Sequence, residues 1–342
     1  MKLDQNMSLP DLTAHLQQLG WLKPTDEVTA LEKPGEGNMN VVLRVLTTAE
    51  SLILKQANPF VQKYPSIPAP LERIVTEAMF YAFAKNREAI QDFLPLMIGY
   101  DAANHLLALE DLGSGVDYTF LYQSDLGIDP DEAAQLIDFL ILLHQVDFSE
   151  SDRQAYPDNL ALRKLNYEHL FVFPYASDHG FDLDTIQPGL QELALPYKKD
   201  EDLKKAALAL GEVYLSTGSS LLHGDFYPGS WLFVEDYLQV IDPEFSFFGP
   251  REYDLGVMLA HLLLMPTPVA LIDDLLNRYQ SQLSINERLV EQFIGMEIIR
   301  RLIGLAQLPL VLDLDRKKQL LESASALILG KITLPIFLLN LS

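Results

Sequence analysis

The apolar residues of this chain change their period part-way along, and that change limits the folds open to it. Between residues 28 and 109 they come in short strand-like runs: Val28-Thr29-Ala30-Leu31, Val41-Val42-Leu43-Arg44-Val45-Leu46, Leu52-Ile53-Leu54, then two more around 96–100 and 105–109. From Asp129 onward the repeat is helical, beginning with DPDEAAQLIDFLILLHQV, whose Asp cap and first-turn acids suit the helix dipole. Two helices interrupt the first part: LTAHLQQLG, with a Ser8 cap and a glycine stop, and LERIVTEAMFYAFAKN. The expected class is α+β, with a small antiparallel β-rich part over 1–111 and a larger, mostly helical part over 112–342. Glu110-Asp111-Leu112-Gly113 breaks the strand pattern between them and reads as a hinge. Residues 58–70, with four prolines, and the aromatic stretch 162–196 are expected to be irregular. The apolar tail 332–341 falls short of the ~20 residues a membrane span needs, so a packed strand or helix end is expected there.

Charge and composition narrow the partners. A net charge of −23 argues against nucleic acid or an anionic membrane surface, both of which want a basic face. Cysteine is absent, which excludes disulfides, thiolate metal sites and cysteine nucleophiles and is compatible with the cytoplasm, the expected location. The first residues carry an early Asp and no long apolar core, so they do not read as a signal peptide.

The chemistry is concentrated in residues 221–250, LLHGDFYPGSWLFVEDYLQVIDPEFSFFGP, which read as loop, strand, turn and strand. Asp225 lies in the loop, and Asp242 and Glu244 follow the second strand on alternate residues, expected to point to one side of an extended segment. Acids on either side of a hairpin suit phosphoryl transfer, where one takes the hydroxyl proton and the others hold magnesium against the phosphates. Read singly, each acid also fits a surface turn. Gly35-Glu36-Gly37-Asn38-Met39-Asn40 permits close backbone approach to a phosphate, and a plain hairpin turn explains it as well. Lys55, near the end of an apolar strand, reads either as a snorkelling edge residue or as a phosphate ligand. His144 and Trp231 are expected in the core. Arg300 and Arg301 sit in an apolar helix, about 100° apart in direction, and taken alone suggest structural ion pairing.

Taken as an ordered set, these motifs resemble the aminoglycoside phosphotransferase and choline kinase branch of the protein-kinase-like fold. HGDFYPGS followed by VIDPEFSFFGPREYDLG is most similar to the methylthioribose kinase family, and the resemblance runs through nearly the whole chain. It implies a two-lobed fold that uses ATP and Mg2+. Gly35, Gly37, Asn38, Asn40 and Lys55 would meet the nucleotide, with the backbone of Glu110 and Leu112 at the adenine edge. The spacing ER-x-x-x-EA makes Glu77, rather than Glu72, the partner of Lys55. Asp225 becomes the catalytic base, Asp242, Glu244 and Ser230 the metal side, and Asp254 a brace for the catalytic loop. Arg300 and Arg301, in E-x-I-R-R-x-I-G-L-A, and Tyr227 are assigned to the substrate. Tyr227 and Pro228 stand where the family has other residues, and so bear on substrate choice.

The implied reaction moves the γ-phosphate of ATP to the anomeric hydroxyl of 5-methylthioribose, giving the 1-phosphate. Alternatives are a kinase for an aminoglycoside, a choline-like alcohol or a ketosamine, and a nucleotide-binding pseudokinase scaffold. The last is disfavoured by the presence of Lys55, Asp225 and Asp242. The implied partners are ATP and a small molecule, in a homodimer. The central expectation is that Asp225, Asp242 and Glu244 converge opposite Lys55.

Overall fold

The computed structural model describes residues 1–35, 39–178, 180–235 and 237–341. Gly37 and Asn38 lie outside these residues. The first part of the chain forms α1 (Leu9–Gln18), β1 (Val28–Glu32), β2 (Val41–Thr47), β3 (Leu52–Gln56), β4 (Phe60–Val61), β5 (Tyr64–Pro68), α2 (Arg73–Ala84), α3 (Glu88–Gln91), β6 (Met97–Asp101), β7 (Leu106–Glu110) and β8 (Val116–Asp117). Then follow α4 (Pro130–His144), α5 (Glu150–Ala155), α6 (Leu160–Tyr167), α7 (Leu190–Lys199), α8 (Glu201–Leu215), β9 (Ser220–Leu222), β10 (Trp231–Val234), β11 (Tyr237–Val240) and β12 (Phe247–Gly249). The chain closes with α9 (Glu252–Leu263), α10 (Val269–Gln282), α11 (Glu287–Ile303), α12 (Leu314–Leu329) and α13 (Leu334–Leu341).

These elements form two compact units. The first holds Met1–Val116, Glu150–Leu162 and Leu232–Ser246. Its sheet runs β1-β2-β3-β7-β6, antiparallel at each pairing, with β3 central. Side chains alternate along a strand, so Leu43, Val45, Leu52, Leu54, Leu106 and Ala108 share a face. They bury it with Leu12 and Leu16 of α1. The Ser8 hydroxyl caps α1 by accepting the Asp11 N–H at 3.4 Å, and Gly20 stops it at φ +74°. Lys55 has the opposite parity to Leu54 and therefore faces the other side of the sheet.

The second unit holds Asp117–Ser149, Arg163–Trp231 and the chain from Phe247 onward. Its centre is α11, buried on every side from Phe293 to Ile303. Close packing there depends on two glycines: a Cβ on Gly256 of α9 would stand 2.6 Å from the Phe293 Cβ, and one on Gly295 would stand 2.5 Å from the Ala324 carbonyl. β9 pairs antiparallel with β12, setting the residues after Leu222 at the edge of that short ladder.

Three expectations about local structure are corrected. Residues 58–70 contain a hairpin, β4 with β5, because the prolines fall where a two-stranded ribbon leaves its edges unpaired. The stretch 162–196 is largely helical: α6 continues into a π-helical turn over Glu168–Val172, and α7 accommodates Pro196 near its end. Aromatic packing drives this, with Phe171 against Tyr167 and Tyr214, each pair at 5.5 Å between centroids. The third concerns Asp242. It sits at φ +65° in the left-handed region, and Pro243–Phe245 is a 3-10 turn, so Asp242 and Glu244 are not alternate residues of a strand.

Candidate active site

Lys55 is the hub of the first unit. Its Nζ meets Glu77 Oε1 of α2 at 2.6 Å and also contacts Asp242 Oδ1. Burial works against the ammonium, but Asp242, Glu77 and Glu244 outweigh it and hold Lys55 well above the ordinary lysine value. Glu77, fully buried, is pushed up by desolvation and drawn back by Lys55. The positive φ of Asp242 carries a strain that a non-glycine residue adopts only when its surroundings enforce it. That turn delivers a carboxylate with one oxygen on Lys55 and a side chain 49% exposed.

Behind Asp242 lies a network that sequence reasoning did not assign. Arg73 is completely buried and donates from Nε to Asn40 Oδ1 at 2.9 Å, from Nη1 to the carbonyls of Asn58 and Pro70, and from Nη2 to that of Met39. Glu244 accepts from Asn40 Nδ2 at 2.9 Å and lies 3.4 Å from Arg73 Nε. Asn159 and Tyr156 fasten the same turn, Asn159 Nδ2 donating to the Glu244 carbonyl at 2.8 Å and Tyr156 OH to Ser246 Oγ at 2.8 Å. Asn40 thus spends its amide on Glu244 and Arg73. The arginine of ER-x-x-x-EA was visible in the sequence, but only as a spacing mark.

Of the other nucleotide-side candidates, Gly35 is exposed with open space around it, and Glu110 ends β7 with its carboxylate accepting the Leu96 N–H at 3.0 Å. Leu112 is half-buried in the connector, where Asp111 pairs with Arg44 at 2.8 Å and Gly113 has φ +72°.

Asp225 belongs to the second unit. Gly224, at φ +85°, turns the chain after β9, and a buried carboxylate fixes the turn: Asp254 accepts the N–H of His223 at 2.7 Å and of Gly224 at 3.0 Å. His144 Nε2 meets the same carboxylate at 3.3 Å while Tyr279 OH lies 2.7 Å from His144 Nδ1, which makes His144 a satisfied core residue. Asp254 braces the loop geometrically. Phe226 is buried and stacks on Phe139 at 5.5 Å, and Trp231 is fully buried beside Tyr118.

The two arginines reach one carboxylate. Glu297 lies three and four residues before them on α11, so all three side chains share a face. Arg300 Nη1 donates to both Glu297 oxygens at 3.1 Å and Arg301 Nε donates to Oε1 at 2.6 Å. His261 Nε2 adds a bond to Glu297 at 3.0 Å and takes the Tyr122 hydroxyl on Nδ1 at 2.6 Å. Burial would raise Glu297, but Arg300 and Arg301 override it and hold the carboxyl well below its usual range. Desolvation lowers His261 to about 4, leaving it neutral. The Arg301 guanidinium stands 4.9 Å over the Tyr227 ring. Asp225 feels both arginines: burial pushes its carboxyl up and Arg300 and Arg301 pull it down.

A family of this kind implies magnesium, and the donors fit it unevenly. Among the described residues no group of three or more His, Cys, Asp or Glu side chains is arranged for a metal. Magnesium needs only one or two carboxylates beside phosphate and water, and the half-exposed Asp242 suits that demand. Glu244 is buried with Oε2 engaged by Asn40 and Arg73, and Ser230 is buried with its hydroxyl donating to the Asp225 carbonyl at 2.9 Å. In this arrangement both brace their loops.

The family model for the phosphotransferase enzyme family matches residues 30–291. Methylthioribose kinase 1 of Oryza sativa subsp. japonica is 31% identical over 251 residues, 70% of this chain and 56% of that protein. The methylthioribose kinase of Erwinia tasmaniensis is 32% identical over 268 residues, 74% of this chain and 65% of that protein. The match therefore spans less than two thirds of either relative's length. Among solved structures, spectinomycin phosphotransferase APH(9)-Ia with ADP and spectinomycin aligns with a TM-score of 0.53 at 10% identity, covering 96% of this chain and 100% of that one. Choline kinase LicA from Streptococcus pneumoniae aligns at 0.52 and 14% identity, covering 94% and 98%. At such identities the structural likeness speaks for the protein-kinase-like fold alone. With the sequence match extending over most of its length, the chain belongs to the phosphotransferase enzyme family.

Proposed function

We propose that the protein is an ATP-dependent kinase acting on a hydroxyl group of a small neutral sugar, with 5-methylthioribose to 5-methylthioribose 1-phosphate as the favoured reaction. The observation that carries this reading is the buried arginine pair. Arg300 and Arg301 share Glu297 and act electrostatically on Asp225. Two guanidiniums beside the base suit a neutral acceptor that gains phosphate charge and repel a cationic aminoglycoside or choline. The names of the sequence relatives support the same substrate.

In this reading Lys55, held in place by Glu77, binds the α- and β-phosphates, and Asp225 accepts the proton of the attacking hydroxyl. The acceptor oxygen forms its bond to the γ-phosphorus as the bond from that phosphorus to the bridging oxygen of ADP breaks. The arginines stabilise the charge on the new phosphate ester. Asp242 would hold magnesium, which would supply neutralisation of the nucleotide phosphates.

The test is ATP consumption with methylthioribose, ribose, choline, homoserine and an aminoglycoside as acceptors, for the wild type and Asp225→Asn. Turnover with methylthioribose above the others, reduced about a hundredfold or more in the variant while ATP still binds, is expected; loss of one charge-stabilising group costs ~3–4 kcal/mol at the transition state. Preference for choline or the aminoglycoside would overturn the substrate, and near-normal turnover of Asp225→Asn would overturn the base.

A further inference from the structure

Past Arg301 the chain leaves α11 at Gly304 and runs without regular structure to the cap of α12. This segment is tied down: Arg301 Nη1 donates to the Ala306 carbonyl at 3.4 Å, and the Val311 N–H donates to the Tyr122 carbonyl at 3.3 Å. With Ile186, Gln187 and Lys317 it lines a cavity of about 660 Å³. The wall is apolar over Ile186 and residues 308–312.

Lys317 is the anomaly. It is 4% exposed and lines the cavity, yet its ammonium has no hydrogen-bond or ion-pair partner among the described residues. Burial, with no opposing charge, lowers its pKa. Its position makes matters worse, since it lies in the opening turns of α12, where the helix dipole favours anions over cations. The Asp313 carboxylate, on the same rim, is engaged in capping α12 and accepts the Arg316 N–H at 2.7 Å. A partly desolvated cation with no counter-charge beside it, at an apolar recess, is stabilised by a bound anion.

We propose that this recess binds a small carboxylate with an apolar body, the carboxylate on the Lys317 ammonium and the body against residues 308–312. The apolar wall selects such a molecule over strongly hydrated inorganic phosphate. The site is independent of the phosphoryl-transfer reading, because none of its lining residues is assigned to that reaction.

The experiment is calorimetric titration of the full chain with 4-methylpentanoate, and in parallel with inorganic phosphate and with 4-methylpentan-1-ol. Saturable binding of the carboxylate is expected, with the alcohol and phosphate weaker by roughly tenfold or more, the scale of one charge-assisted hydrogen bond. Lys317→Met should weaken the carboxylate by the same order, without lowering the thermal midpoint, since the ammonium it removes makes no hydrogen bond or ion pair with the described residues. Lys317→Arg should retain binding. Lys317→Gln, read in the same way, replaces the Met variant if that chain does not fold. No saturable uptake of 4-methylpentanoate, equal uptake by the uncharged variants, or phosphate binding as tightly as the carboxylate would each overturn the proposal.

Discussion

Replacing Lys55 by Met separates what the buried ion pair does for stability from what it does for phosphate binding. The Lys55 side chain is 5% exposed and that of Glu77 is not exposed at all, with 2.6 Å between the charges. Lys55→Met strips Glu77 of its counter-ion, and leaving a buried charge unpaired costs about 3–5 kcal/mol. Part of that cost is escapable by protonation. Glu77 in the variant keeps the upward push of burial without Lys55 to oppose it, so its folded pKa stands further above the unfolded value. A raised folded pKa means stability that is present at low pH and lost as pH rises. The penalty of Lys55→Met is therefore smaller near pH 4.5 and grows towards neutrality, by about 1.4 kcal/mol for each pH unit that separates the folded from the unfolded pKa. Adding Glu77→Leu removes the orphaned charge; a matched apolar pair is neutral or better by ~1–4 kcal/mol. The double variant should recover most of the lost stability and none of the activity. Urea unfolding followed by circular dichroism at two pH values, with ATP consumption measured alongside, tests this. A single variant costing under about 1 kcal/mol, or a double variant no more stable than the single one, would refute the argument.

Asp254→Ala orphans the buried N–H groups of His223 and Gly224, at about 1–3 kcal/mol each, so both the thermal midpoint and turnover should fall; an active, equally stable variant would show that the Asp225 loop needs no brace. His261 is depressed to about 4 from an ordinary 6.5, so the folded state resists its protonation. Stability from this group is complete above pH 6.5 and is lost as pH falls towards 4, by an order of ~3 kcal/mol at most. Urea midpoints at pH 7.5, 5.5 and 4.5 measure it, and His261→Gln should flatten that decline. Glu297→Ala leaves two buried guanidiniums without their carboxylate and should lower stability by about 3–5 kcal/mol, read as a fall in the urea midpoint at pH 7.5.

The relation between sequence and site is clearest at Asp242-x-Glu244. The acids were legible as a chemical motif, because D-P-E-F comes after the Asp225 loop and a hairpin in the order that the family resemblance implies. Their geometry was not legible. A strand would have aimed them alike, whereas the left-handed Asp242 hands one acid to Lys55 and the 3-10 turn hands the other to Asn40 and Arg73. The same holds for the arginines. Helical angles alone placed Arg300 and Arg301 apart, yet long side chains at three and four residues from Glu297 bend to one carboxylate.

Local properties were fixed by residue order: the strand periods of the first part, the caps at Ser8 and Asp129, and the opposite parity of Lys55. These depend on neighbours a few positions away, or on one alternation along a strand. Only the tertiary structure decided which buried charges meet. Arg73 finds Glu244, Asp254 finds the Gly224 turn, and His261 finds Glu297, across separations that no periodicity encodes. Burying a charge is tolerable only with a partner, and the identity of that partner is set by packing.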